Sequence, residues 1–291
     1  MKSQFDHELL SSFYLWFDDV LVRRNNSYMT QSTGISFVQK VAGTAEDADD
    51  IPPNLDAFYA PFRQLVGTGP NVSTGVFISG KECNQGTSGM LIDFNEARVL
   101  ISGGLVASGA PITGAFDTKE VNVYITNDSE EDLIMNNDFY VDDFGNTYLQ
   151  NKTDLNGRKY TLPAAFISYN GSQNEPRALG GSEDTQAAIR VVAIVEDNYT
   201  LDGMVSIFRD SARETFPIIS YSNFPYGEFF HLKSPPYTYT GLVAANENSP
   251  QMYIESVAAS KLFDKTNNTI PLGVRIGFLD FDLSNFRFPR L

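Results

Sequence analysis

Ala187-Ala188-Ile189-Arg190-Val191-Val192-Ala193-Ile194-Val195 decides the fold class of this chain. It holds a single charge among β-branched and small apolar side chains. A short continuous run of that kind reads as a strand covered on both faces. Upstream, Ala165–Tyr169 reads as a strand closed by Asn170-Gly171. Asn156-Gly157 is a type I′ turn signal leading into Arg158–Leu162, a surface hairpin. Val121–Thr126 alternates at period two, Met90–Phe94 and Arg98–Ile101 flank Asn95-Glu96-Ala97 as a hairpin, and Val76–Ser79 lies between Gly75 and Gly80. Downstream, Asp202 reads as the N-cap of a helix carrying Met204, Phe208, Ala212 and Phe216, with Pro217 beyond its end. Strands are expected at Pro217–Tyr221, Tyr237–Leu242, Met252–Val257 and Val274–Phe281, with a short helix around Val257–Phe263. Many short strands between Gly/Asn turns, with few helices, predict a mainly β fold. Its body is a β-sandwich or jelly roll with an N-terminal helix and one or two inserted short helices.

The N-terminal helix is the clearest helical signal. Ser3 and Asp6 form a variant of the capping box, Asp6 and Glu8 suit the first turns, and Arg23-Arg24 then Asn25-Asn26 suit the end. At about 100° per residue, Leu9, Leu10, Phe13, Tyr14, Trp16, Phe17, Val20 and Leu21 make one broad apolar face. Leu15 and Val22 fall on the other side, among Glu8, Ser11, Asp18 and Asp19. That second patch is expected to touch a neighbouring subunit. Residues 1–26 thus read as a helical arm, 27–70 as an irregular linker and 71–291 as the β-rich body. The linker contains Glu46-Asp47-Ala48-Asp49-Asp50 before Pro52-Pro53, a solvated loop without EF-hand spacing.

Composition narrows the function classes. The 291 residues carry 21 Lys and Arg against 36 Asp and Glu, a net charge of −15 with no basic patch, so nucleic-acid binding is not expected. A single cysteine, Cys83, excludes an internal disulfide, and with two histidines, His7 and His231, the common His/Cys zinc sites lack ligands. The start is polar, unlike a signal peptide, and no apolar run reaches the length of a membrane span. Seven Asn-X-Ser/Thr sequons then read as chance in an Asn-rich chain.

No reaction chemistry stands out. There is no Gly-x-Ser-x-Gly elbow and no Gly-Lys-Ser/Thr phosphate loop. His231, beside Phe229 and Phe230, reads as a packed residue, and Cys83, near Lys81, as an inert thiol. Asp280 and Asp282 share one face of a strand. They read as its solvent face, with Leu279, Phe281 and Leu283 inward; a divalent ion or glycoside chemistry is the sharper alternative. No catalytic, cofactor-binding or metal residue is assigned, and no cofactor is expected. The 22 Phe, 14 Tyr and one Trp suit a sandwich core and subunit interfaces. The candidate interface residues are Leu15, Val22, Trp16, Phe229 and Phe230.

Three stretches carry a resemblance: Gly89–Leu100 (GMLIDFNEARVL), Val121–Asn127 (VNVYITN) and Leu201–Asp210 (LDGMVSIFRD). Across about residues 70–215 the chain resembles virion structural proteins of large tailed bacteriophages, of the kind found at the neck, collar or tail. The resemblance implies a ring-forming, non-enzymatic part of a particle, assembled in the host cytoplasm from copies of itself and other phage structural proteins. It brings no catalytic residues. A glycan-binding or glycan-cleaving β-sandwich is the alternative from another class.

Overall fold

The computed structural model describes residues 4–24, 29–39, 55–60, 64–69, 72–73, 75–85, 89–103, 106–107, 110–136, 138–140, 147–149, 159–177, 181–234, 237–262 and 274–288. In chain order the elements begin with helix α1 (Phe5–Asp19), continued by a π turn at Val20–Arg24. Strands β1 (Met29–Gln39), β2 (Leu55–Tyr59), β3 (Gly75–Ile78), β4 (Lys81–Asn84), β5 (Met90–Asp93), β6 (Arg98–Ser102), β7 (Ile112–Lys119) and β8 (Asn122–Ile125) follow. Then come α2 (Glu130–Asn136), β9 (Asp138–Tyr140), β10 (Thr147–Leu149), β11 (Lys159–Thr161), β12 (Ala164–Pro176) and β13 (Glu183–Val195). The last are α3 (Asn198–Arg209), β14 (Thr215–Pro217), α4 (Tyr239–Ala245), β15 (Gln251–Lys261) and β16 (Arg275–Arg287).

The fold is mainly β and sandwich-like. A seven-stranded sheet has the order β4-β3-β7-β1-β2-β6-β5, a six-stranded sheet the order β14-β15-β16-β13-β12-β8, and β10-β9-β11 form a small third sheet. β13 lies inside the six-stranded sheet, antiparallel to β12 on one side and to β16 on the other. Its alternate residues serve two cores. Ile189, Val191, Ala193 and Val195 join the main core with α1, α3 and residues of both large sheets. Val192 and Ile194 join a second core with Phe139, Tyr160, Leu162 and Phe166. The sequence expectation of a strand buried on both faces therefore holds, for the stated reason: each side chain removed from water contributes about 1.5–3 kcal/mol on either side of the sheet.

Several expectations are corrected. The segment read as an irregular linker supplies β1 and β2, which join the two halves of the seven-stranded sheet through Val38↔Tyr59 and Gln39↔Phe58. β1 pairs along its length with β7, with a register shift between Ser32 and Ile35. The acidic stretch 46–50 lies outside the described residues. β12 does not close at Asn170-Gly171 but runs on to Pro176 through a bulge, with Gly171 at φ 126°. Asn156 and Gly157 lie outside the described residues. The strand after them, β11, pairs in parallel with β9 instead of folding back on the strand before the turn, and its Tyr160 is buried.

α3 starts five residues earlier than expected: Asp197, not Asp202, is the cap, accepting from the Thr200 amide at 2.8 Å. Phe216 and Pro217 belong to β14. Tyr239–Ala245 is helix, not strand, capped by Thr238, whose hydroxyl accepts from the Gly241 amide at 3.1 Å. Residues 257–261, read as a short helix, continue β15. The β5–β6 hairpin and β8 stand as read, while β13 begins earlier than read, at Glu183, and β16 runs on past Phe281 to Arg287.

α1 is not an arm. Phe13 meets Phe281 with ring centroids 4.9 Å apart and Phe216 at 5.9 Å, and Phe17 stacks on Phe208 at 3.9 Å. The helix is buried around its whole circumference from Ser12 to Asp18. The polar groups at these positions have internal partners. Ser12 Oγ donates to the Glu8 carbonyl at 2.6 Å and accepts from the Ile219 amide at 2.8 Å.

Candidate interaction surface

Of the five interface residues nominated by sequence, three are buried inside their own chain. Leu15 is 2% exposed, Trp16 3% and Val22 0%, all within the chain's own core. The helical-wheel argument set Leu15 and Val22 opposite the main apolar face as a contact for a neighbour, and it failed because both are covered by this chain. Phe230 is half-buried at φ 47°, with its ring 6.0 Å from Tyr14 and 5.6 Å from Tyr226. Phe229 belongs to the short 3₁₀ turn Glu228–Phe230, and its side chain lies outside what is described.

The reactive residue types are occupied structurally. His7 Nδ1 lies 3.4 Å from the Gln4 amide at the start of α1. His231 Nδ1 bonds the Glu228 carbonyl. Cys83 Sγ is 3.8 Å from the Lys81 carbonyl on β4. Asp280 binds Arg190 in a fork, Nε to Oδ1 at 2.5 Å and Nη2 to Oδ2 at 3.1 Å, and Arg190 also pairs with Glu130. These carboxylates hold the Arg190 pKa above its ordinary value. Asp282 accepts from Ser256 Oγ at 2.6 Å. Leu279, Phe281 and Leu283 are buried, as read from sequence. Among the described residues no group of three or more His, Cys, Asp or Glu is placed to hold a metal ion, and no helix is long and apolar enough to cross a membrane.

Two buried ionic clusters stiffen the body. Asp93 closes the β5–β6 turn: Oδ1 accepts from the amides of Asn95 (3.1 Å) and Glu96 (3.0 Å), while Oδ2 takes Arg98 Nε at 2.8 Å. Burial pushes the Asp93 carboxyl up, against the opposing pull of Arg98 and the turn amides. Arg98 also donates to Tyr59 Oη at 3.2 Å. Between α1 and β7, Lys119 Nζ lies 2.6 Å from Asp18 and 5.7 Å from the centre of the Tyr14 ring. Tyr237 Oη donates to Tyr226 Oη at 3.3 Å. Burial, ahead of nearby carboxylates, pushes the Tyr14 hydroxyl far up.

A pair of exposed aromatic rings lies elsewhere. Strands β12, β13 and β16 continue together to Pro176↔Glu183 and Glu183↔Arg287. Ser172 to Arg177 are exposed there. At this end Phe286 is 50% exposed and Phe288 46%, their rings 5.6 Å apart and edge-to-face. Arg177 sits over Phe286 at 5.5 Å, and Arg287 over Phe5 at 3.7 Å. Arg287 is fixed by Thr185 Oγ1 (2.6 Å) and Asn174 Oδ1 (3.3 Å). The result is a rigid ribbon end with two aromatic rings and two guanidiniums, residue types enriched at protein interfaces. The signal was present in sequence. If Leu279, Phe281 and Leu283 point inward, even-numbered residues point outward, and Phe286 and Phe288 are even.

No protein-family model matches this chain, and no curated protein matches it.

Proposed function

We propose that this protein is a non-enzymatic structural subunit of a tailed-bacteriophage virion, placed in its neck or tail and working by assembly with copies of itself and other particle proteins. The observation that supports assembly is the Phe286–Phe288 pair. Two half-exposed phenylalanines on a hydrogen-bonded ribbon offer apolar contact area that needs little ordering on binding. The acidic charge keeps such a subunit soluble before it assembles in the host cytoplasm. The glycan reading gains nothing from Asp280 and Asp282, which are engaged by Arg190 and Ser256.

The test is incorporation. Tagged protein should appear in purified particles by immunogold labelling. Phe286→Ser with Phe288→Ser should leave the circular-dichroism spectrum unchanged and remove the chain from particles. A protein abundant in the host cell and absent from particles overturns the reading.

A further inference from the structure

The six-stranded sheet has an edge that the described residues leave open. β14 and the residues just before it cover β15 only as far as Ile254. Thr215–Pro217 pair with Gln251–Tyr253, and Ile254 exchanges backbone hydrogen bonds with Arg213 (2.8 Å) and Glu214 (2.9 Å). A bulge at Glu255 follows, marked by the register shift between Ile254 and Ser256. Beyond it, Ser256–Lys261 pair with Asp282–Gly277 of β16 on one side, and no described strand pairs on the other. Ser256, Ala258, Ala259 and Ser260 are exposed.

From these observations we infer that Glu255–Lys261 is a self-pairing edge, whose occupant is the same segment of a second copy in antiparallel orientation. The sequence is self-complementary. With a two-fold axis through Ala258, Ala258 faces Ala258, Val257 faces Ala259 and Ser256 faces Ser260. The facing side chains are small and uncharged, so nothing opposes close approach where side chains on paired strands meet. A two-fold contact of this kind is isologous and closes as a dimer. β14 limits the register: a partner strand that slides further meets the segment 213–217 already seated on the edge. Beside Lys261, Asp202 of α3 forms an ion pair with it, and Tyr199, one turn earlier on α3, is 90% exposed. Leu262 is 43% exposed. These groups extend the contact beyond the backbone ladder. Seven residues per copy give less than the roughly 800 Å² per partner of a standard interface, so the dimer is weak and concentration-dependent.

The inference stands apart from the virion reading, since a chain of any function could pair this way. Its test is light scattering across a concentration series, with circular dichroism as the folding check. Wild-type protein should shift from monomer towards dimer. Ala258→Lys should remain folded and monomeric, because it sets two ammonium groups together at the axis. Cysteine cross-linking then reads the register. In a Cys83→Ser background, oxidised Ala258→Cys should cross-link to itself, as Cα atoms about 4.5–5.5 Å apart allow. Ser256→Cys and Ser260→Cys should cross-link when mixed and not alone. A monomer at every concentration overturns the inference. So does a dimer indifferent to Ala258→Lys, or one in which Ser256→Cys cross-links to itself.

Discussion

Replacing Lys119 by Met is the sharpest probe of how α1 is held in the core. Lys119 and Asp18 are each 2% exposed, and Nζ lies 2.6 Å from Oδ1. At an effective dielectric near 20 their attraction is about 6 kcal/mol, most of it offset by the cost of removing both charges from water. Methionine keeps most of the stem's volume and removes the charge, so Asp18 is left as a buried carboxylate without its cation. Losing one member of such a pair costs about 3–5 kcal/mol, a large part of a stability of about 5–15 kcal/mol. With a urea m-value of about 3 kcal/mol/M, the midpoint should fall by roughly 1–1.7 M. Asp18→Leu with Lys119→Met removes both charges and should recover most of the loss. Urea unfolding of wild type, both single variants and the double variant measures the coupling directly. A Lys119→Met loss below about 1 kcal/mol, or a double variant as unstable as the two single losses added, would refute the claim that this pair is desolvated and coupled.

Other expected outcomes follow from local geometry. Asp197→Ala removes the cap of α3 and should cost about 0.5–2 kcal/mol at neutral pH. Hydrogen bonds from Thr200 hold the Asp197 carboxyl below its ordinary value, so its stabilisation is present above the unfolded value and lost as pH falls through the folded one. The gap between wild type and Asp197→Ala in thermal melts should therefore close in acid. Arg98→Met leaves Asp93 buried without its cation, for a loss of about 3–5 kcal/mol. Here the sign reverses: the Asp93 folded value is raised, so its ionisation disfavours folding as pH rises, and the Arg98→Met deficit should shrink towards about pH 4. Gly277→Val should cost about 1–3 kcal/mol by overpacking, because even a Cβ there would lie 2.7 Å from Leu201 Cδ1 of α3; an unchanged melting temperature would show that α3 gives way freely.

How much was legible depended on whether a local pattern survives tertiary context. Ala187–Val195 could be read because burial on both faces writes itself as a continuous apolar run. Arg98–Ser102 and Met90–Asp93 could be read because the turn between them is local, down to the Asp93 side chain that bonds its own turn. β1 was missed because Met29–Gln39 is rich in Thr, Ser and Gln and has a register shift at Ser32–Ile35, which breaks the period of two. Tyr237–Leu242 misled in the opposite direction. Its Tyr and Thr residues favour strands, but the Thr238 hydroxyl caps Tyr239–Ala245 as helix. In α3 the sequence reading took Asp202 as the cap, but Asp202 pairs with Lys261 and it is Asp197 that bonds the Thr200 amide. Leu15, Trp16 and Val22 failed as interface residues for a non-local reason. Amphipathic analysis ranks one face of a helix against the other, and no such ranking shows that both faces of α1 are buried in its own chain.

The same reasoning explains why the proposed contact surfaces sit on the six-stranded sheet. The outer strands β4 and β5 of the seven-stranded sheet are four residues each, and β4 exposes Lys81 and Glu82; short, charged edges discourage pairing. At the far end of the six-stranded sheet, β8 is also four residues. β12 runs past β8, but its outer side is interrupted by the bulge at Asn170 and ends in Pro176, which cannot donate. Its Ser172 also bonds Asp6 at the start of α1, at 3.3 Å. β15 lacks these protections between Ser256 and Ser260, where small side chains leave the backbone approachable, and its charges stand only at the two ends. Among the described residues this edge is left bare where the others are blunted, a cost unless something covers it. Pairing about a two-fold axis at Ala258 gives the covering strand the same sequence as the strand it covers.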